Sequence, residues 1–597
     1  MLALPSYVRF VNAYSGITIL MNDNTQDFFA EEENLFIEQA EYIDETAFLK
    51  WSIEQASENS IIRKLSQGGA KLITGPRGCG KTTLMLKTFH KLRADSKASS
   101  LPIYVNFKTS LQLEPLYKKG NVNAVFWFNQ WLLFKVYQGL FRTLKEIEKT
   151  PPSTLKFNEQ FVERVTNQLE LGRIDKLTDE DDYLLTHSSL EDDIKKVLLS
   201  LGKTRCVLLL DDAAHAFSSE QQRDFFDFFR QIKSRIISPK AAIYPGITIY
   251  SGRFHVGHDA EEIDVWIKPD SSDYLDFMFE ILERRLPNEV YKALLANKAL
   301  LQLVCYAAFG IPRALLNMIR GFYKESTSST DALTFEIDFN KSKALTAIKS
   351  SFDNTFSIYS SLKVQLPIYE HFILSGEQLF DNMSNRVKEY NKNKEIGTQS
   401  ISIGIKHPLP AEMLKVLGFF QYVGILLPKG KISMGNAGVY EIYVIHYAAL
   451  ILRNVLFGKS SVPVSQLSKA LHEYSPRYYP KITPNSLMGT DDLLSLFKLA
   501  LPPCQKCGTP RVNEHAKFCI HCGAILKTGS TFGEIVKRDI EKLGLSETRV
   551  QSIKKHSDIR TIKDILMDHD NRELRGVPGI GEIWAKRIRS LAEESIS

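Results

Sequence analysis

The chain has 597 residues, a net charge of +6, 44% hydrophobic and 24% charged residues. This composition excludes disordered, collagen-like and coiled-coil chains, and the length allows about four domains. No run of 18 apolar residues occurs, and the start MLALPSYVRFVNAYSG lacks a basic stretch ahead of an apolar core. Neither a membrane-spanning helix nor a secretory leader is therefore expected, and the expected location is cytoplasmic.

Residues 1–60 form an N-terminal segment with acidic stretches and no readable motif. From Ala70 onward, strand-like and helix-like stretches alternate. KLIT, LPIYVNF, CVLLLDD, AAIY and ITIY read as strands, which predicts a parallel sheet covered by helices over 61–268. A mostly helical insertion at about 108–200, with the aromatic stripe VFWFNQWLLFKVYQGLF, is expected to be packing. Residues 269–330 read as helical, and the Ser/Thr-rich KESTSSTDA separates them from 335–458. A polar, Pro-rich connection over 460–503 leads to a cysteine cluster at 500–528 and short helices over 531–597.

Gly75-Pro76-Arg77-Gly78-Cys79-Gly80-Lys81-Thr82 fits G-x-x-x-x-G-K-[ST] between an apolar strand and a helix, with Thr83 next. Glycines let backbone N–H groups wrap a phosphate chain, and the helix that follows turns its positive end to the same phosphates. Lys81 is expected to bridge the β- and γ-phosphates of ATP, and Thr82 to ligate Mg²⁺. The apolar strand Cys206–Leu210 runs into Asp211 and Asp212. Asp211 is the expected Mg²⁺-side carboxylate, and Asp212 the residue that orients the attacking water.

Together with Phe309-Gly310-Ile311-Pro312-Arg313-Ala314-Leu315-Leu316, these motifs resemble AAA+ ATPases of the origin-recognition and replication-initiator type. Signal-transducing P-loop ATPases with numerous domains are similar in shape. The resemblance implies an α/β P-loop fold with a helical lid, and gives Arg313 the part of a sensor-2 arginine reaching the γ-phosphate. Two departures stand out. Lys81 and Asp211 are 130 residues apart, about twice the expected span, and AAIYPG ends without the usual polar sensor-1 residue. Arg253, Arg230 and Arg235 are rival candidates for an arginine finger.

In 405–455, a helix carrying Leu414, Leu417 and Phe420 precedes VGILL, the turn Pro428-Lys429-Gly430 and the strand YEIYVIHY. Helix plus hairpin reads as a winged-helix-like domain, with DNA contact or protein packing both open.

Cys504-x-x-Cys507 and Cys519-x-x-Cys522 stand eleven residues apart, each pair followed by glycine. Two such knuckles make a closed S₄ set for a structural Zn²⁺, leaving His521 unneeded. Arg511, Lys517 and Lys527 make this ribbon a plausible binding module. Residues 501–597 also hold 17 Lys+Arg against 13 Asp+Glu.

Gly-Val-Pro-Gly-Ile-Gly at 576–581, followed by an amphipathic helix, resembles a helix-hairpin-helix motif. From about residue 538 the unit is similar to the C-terminal domain of the RNA polymerase α subunit. That resemblance implies DNA-phosphate contacts by Gly579 and Gly581, with Lys586 and Arg587 nearby and Ile580, Ile583 and Ile588 as core; protein docking by the same fold stays open.

The expected function is therefore an ATP-dependent, Mg²⁺-requiring, DNA-associated AAA+ ATPase that assembles as a homo-oligomer on DNA. The alternative is a signalling or scaffold switch recruiting a protein effector, as in a phage-defence or mobile-element system. A third is a nucleotide-binding structural protein without turnover.

Overall fold

The computed structural model of the chain describes residues 12–13, 16–19, 40, 43, 45–51, 56–107, 123–170, 184–212, 218–327, 333–458, 461–501, 503–511, 516, 518–526, 538–543, 545, 547–568 and 571–596. Five parallel strands form its central sheet: β1 (Lys71–Thr74), β2 (Ser100–Asn106), β3 (Arg205–Asp211), β4 (Ile237–Ile243) and β5 (Glu261–Asp264). Their order is β2-β3-β4-β1-β5. This order brings the end of β3 and the end of β1 to either side of β4. ITIY, expected as a strand, is not one: Ile247–Tyr250 is a turn and irregular segment whose Ile249 N–H donates to the Gln222 side chain at 2.7 Å.

Both faces of the sheet are covered, so its strands read as unbroken apolar runs. On one face Val207 and Leu209 of β3 meet Leu84, Met85 and Phe89 of helix α1 (Lys81–Ala94). On the other, Cys206, Leu208 and Leu210 join the larger core, which includes the insertion's aromatic stripe. Within helix Ala124–Glu146, Phe128, Trp131, Phe134 and Tyr137 are fully buried, each contributing about 1.5–3 kcal/mol by leaving water. Gly139 permits this approach: a methyl there would sit 2.9 Å from the Tyr104 carbonyl. The stripe is packing, as expected. Residues 108–122 and 171–183 of the insertion lie outside the described residues.

Helices Tyr274–Arg285, Asn288–Leu295, Lys298–Ala307 and α2 (Pro312–Arg320) follow the sheet. KESTSSTDA is not a plain separator, since Tyr323–Thr327 pairs antiparallel with Leu333–Ile337, which in turn pairs with Gly16–Ile19 of the N-terminal segment. Next come two long helices, Lys341–Gln365 and Glu370–Asn391, strand Ser402–Lys406, helix α3 (Ala411–Val423) and the hairpin Leu426–Ser433/Val439–Ile445. The hairpin pairs through Val439–Ile445 with Ser402–Lys406.

The connection over 460–503 also differs from expectation. It carries helix Val464–His472, and its Ala470, Leu471, Leu487, Met488 and Phe497 are buried in the main core. A second, separate core holds Ile540, Ile553, Ile565, Leu574, Ile580 and Ile588 around helix α4 (Glu582–Ile596). The side chain of Ile583 lies outside the described residues, as do Lys517 and Lys527. Among the described residues, no helix is long and apolar enough to cross a membrane.

Candidate nucleotide site and metal centre

The loop between β1 and α1 has the backbone its sequence demands. Gly78 and Gly80 sit at φ 82° and 100°, where a side chain is strained. Gly80 caps α1 without offering a side chain, so the first amides of a 14-residue helix have no side-chain acceptor there. Lys81 is buried, and its Nζ donates to the carbonyls of Gly75 at 2.8 Å and Pro76 at 3.0 Å. Burial lowers its pKa, while Cys79, Asp212 and Asp211 pull it back up and Arg313 lowers it further. Lys81 thus feels the charges of both aspartates and of Arg313. Cys79 is buried in this loop, and burial raises its thiol's pKa.

Alternation along β3 puts Asp211 on the α1 face, after Val207 and Leu209. Its carboxylate is 1% exposed and accepts from Tyr104 Oη at 2.9 Å and from the Asp212 N–H at 3.0 Å. Asp212 has φ 54°, so the chain turns sharply at the strand end. Its Oδ1 accepts from the Tyr244 hydroxyl at 3.2 Å. The same tyrosine lies over Lys81, ring centroid 3.6 Å from Nζ.

Tyr244 follows β4 directly, and so corrects the expectation that this strand ends without a polar group. Read as one more apolar residue of AAIY, it carries a hydroxyl that reaches the acidic strand. The signal for it was a phenol at the end of the strand next to the aspartates.

Arg313 is the second residue of α2, whose first position is Pro312. Its Cβ lies 3.3 Å from where a methyl on Gly78 would be, so this arginine flanks the loop. The turn that presents it is tightly specified. Phe309 has φ 53°; its ring packs on Trp266, His446 and Tyr447, and its carbonyl accepts from Trp266 Nε1 at 2.9 Å. The Gly310 N–H donates to Tyr274 Oη at 3.0 Å. At Gly310, φ is 75° and a methyl would fall 1.8 Å from the Ile267 carbonyl oxygen. Gly310→Ala is therefore expected to cost about 2–4 kcal/mol, measured as a lower midpoint in urea. An unchanged midpoint would show that this turn does not set the arginine.

Helix α3 is not a free DNA reader in this arrangement. Leu417 and Phe420 are buried, although Leu414 is 40% exposed. The helix lies on the glycine-rich loop: the Arg77 N–H donates to the Tyr422 carbonyl at 3.0 Å, and Gly424 approaches Pro76 and Ile311. Gly418 meets Gly246 backbone to backbone; a methyl on Gly246 would stand 2.1 Å from the Gly418 oxygen. The wing from Lys429 to Tyr440 is mostly exposed, with Lys429 paired to Asp270 and Lys431 to Glu441. Arg230, Arg235 and Arg253 are all exposed, and nothing further distinguishes them.

The four ribbon cysteines converge, their sulfurs all within 4.8 Å of one another. Cys504 Sγ lies 3.6 Å from Cys522 Sγ, and Cys507 Sγ 3.5 Å from Cys519 Sγ. Tetrahedral zinc at about 2.3 Å per sulfur needs edges of about 3.8 Å, so the thiols fit the ion. Each knuckle closes the same way: Gly508 N–H donates to the Cys504 carbonyl and Gly523 N–H to that of Cys519, both glycines left-handed. Hydrogen bonds from Thr509 pull the Cys507 thiol down to about 5, while contacts with the other three sulfurs push Cys522 up, so the four share their protons.

In the C-terminal unit, Gly579 has φ 82° and Gly581 accepts the first α4 bond, from Ala585. Both glycines are exposed. Lys586 is exposed and paired with Glu582 at 2.9 Å. Arg587 stacks on Trp584 at 4.9 Å, and Arg549 covers that ring at 3.3 Å. Arg549 went unnoticed in the sequence because it comes from another helix, Glu547–His556.

No family model matches the chain. No curated protein matches it either. Among solved structures, it is similar to the Aeropyrum pernix ORC1 protein in complex with DNA, at 12% identity, over 68% of this chain and 93% of that one, with a TM-score of 0.26. A likeness of that size is too slight to argue from.

Proposed function

We propose that the chain is a Mg²⁺-dependent, DNA-associated ATPase of the AAA+ type, using nucleotide binding and hydrolysis to control its assembly on DNA. The observation that carries the reading is that Tyr244 links Lys81 to Asp212 while Arg313 flanks Gly78 of the same glycine-rich loop. Gly75, Pro76, Arg77, Gly78, Cys79 and Gly80 would cradle the phosphates, with Thr82 and Thr83 at the helix start. Lys81 would hold the terminal phosphates, and Thr82 with Asp211 the Mg²⁺. Bound, the nucleotide supplies the scissile anhydride and the ion neutralises its charge. Asp212 would orient water. Arg313 would sense the third phosphate through its fixed fork of donors.

The ribbon would hold Zn²⁺ as a structural ion, since four thiolates leave no open position. Backbone donors at Gly579 and Gly581, with Lys586 and Arg587, would grip DNA phosphates without reading bases. Nucleotide-dependent binding of duplex DNA over a salt series tests this: affinity should fall steeply with salt, and Lys586→Ala should reduce the log–log slope by about 1. Salt-independent or absent binding would remove DNA from the proposal. A second reading, a switch that recruits a protein effector, is favoured by one observation, the packing of α3 on the nucleotide loop.

A further inference from the structure

We infer that Tyr244 is the positioning residue that couples occupancy of the nucleotide loop to the docking of α3, its ring holding the place on Lys81 that a terminal phosphate takes. This rests on the nucleotide reading above. Four contacts meet at this side chain. Its ring covers Lys81 Nζ at 3.6 Å, and its hydroxyl donates to Asp212 Oδ1 at 3.2 Å. The ring also meets that of Tyr422 edge-on, centroids 5.5 Å apart. Its own N–H donates to Thr248 Oγ1 at 3.0 Å, fixing the turn in which Gly246 touches Gly418.

An ammonium group has three donors. Lys81 gives hydrogen bonds to the Gly75 and Pro76 carbonyls and a long one, 4.0 Å, to Cys79 Sγ, and the tyrosine face covers it. A phosphate oxygen reaching Lys81 must displace one of these loop acceptors or the ring. The carbonyls and the thiol belong to the loop that wraps the phosphates, so the ring is what leaves. Its departure frees Asp212 from the hydroxyl and takes away the aromatic wall against which Tyr422 rests. The Arg77–Tyr422 backbone bond lies in the same loop, so phosphate binding there works against α3 from two sides.

Hydrogen–deuterium exchange on the full chain, with and without Mg²⁺–ATP, tests the coupling. ATP should protect 75–83 and speed exchange across 411–424. Tyr244→Leu keeps apolar volume but lacks the π face; it should bind ATP roughly tenfold more tightly and exchange fast at 411–424 without nucleotide. Tyr244→Phe keeps the π face over Lys81, so its ATP affinity should stay near the wild-type value, and kcat with it, because Asp212 is already free of the hydroxyl once nucleotide is bound. Damage to the fold would weaken ATP binding, the opposite of the leucine result. Protection at 75–83 with no change at 411–424 overturns the coupling, and unchanged or weaker binding by Tyr244→Leu overturns the place-holding role. Absence of protection at 75–83 refutes the nucleotide reading itself, and the coupling falls with it.

Discussion

Replacing Lys81 with methionine should lower ATP turnover roughly 10²–10³-fold, the usual cost of deleting one preorganised donor to a transferring phosphoryl group. Methionine keeps the length and apolar stem of a side chain that is almost fully buried. The packing beneath Tyr244 therefore survives, and only the ammonium is lost. That charge is held by two loop carbonyls and covered by the Tyr244 ring, in a site dry enough to lower its pKa. Phosphate release under saturating ATP gives the readout, and a melt without nucleotide checks folding. Wild-type turnover in a folded Lys81→Met protein would end the catalytic assignment of this loop.

The second large effect concerns the ribbon. Elemental analysis should find about one zinc per chain, and Cys504→Ser combined with Cys519→Ser should abolish it. The ribbon has almost no apolar interior to fall back on: Phe518 is 60%, Ile520 81% and Ile525 72% exposed. Metal binding of about 10–16 kcal/mol is then nearly its whole folding free energy. Chelation should make the segment around 504–525 a rapid protease target while the main core, which shares none of these residues, melts as before. Protease resistance in chelated protein would mean the cysteines are not what folds the segment.

Both of these sites were legible in the sequence because each is local. The loop needs eight consecutive residues, and each knuckle needs five. The parallel sheet was legible as a class from its apolar strands, whereas its order depends on pairings such as Thr74 with Ile243, far apart in the chain. Tyr244 and Tyr422 escaped notice for the same reason, since their meeting is set by how α3 docks. The choice left open for α3, between DNA contact and protein packing, had a detectable signal. Met413, Val416, Leu417, Phe419, Phe420, Tyr422 and Val423 leave it apolar nearly all round, the mark of a helix enclosed by protein and not one offered to a groove. In the connection over 460–503, buried residues come in ones and twos (Ala470 with Leu471, Leu487 with Met488), too sparse to reveal a periodicity.

The meeting of Gly246 with Gly418 has a mechanical consequence. Neither residue has a rotamer with which to take up slack, and the backbones already touch, so small displacements cannot be absorbed by repacking at that point. Such a joint is either fully seated or open, with no partial stop between. A gradual rise in nucleotide would then be answered by a change in how many molecules are open, and not by how far each one opens.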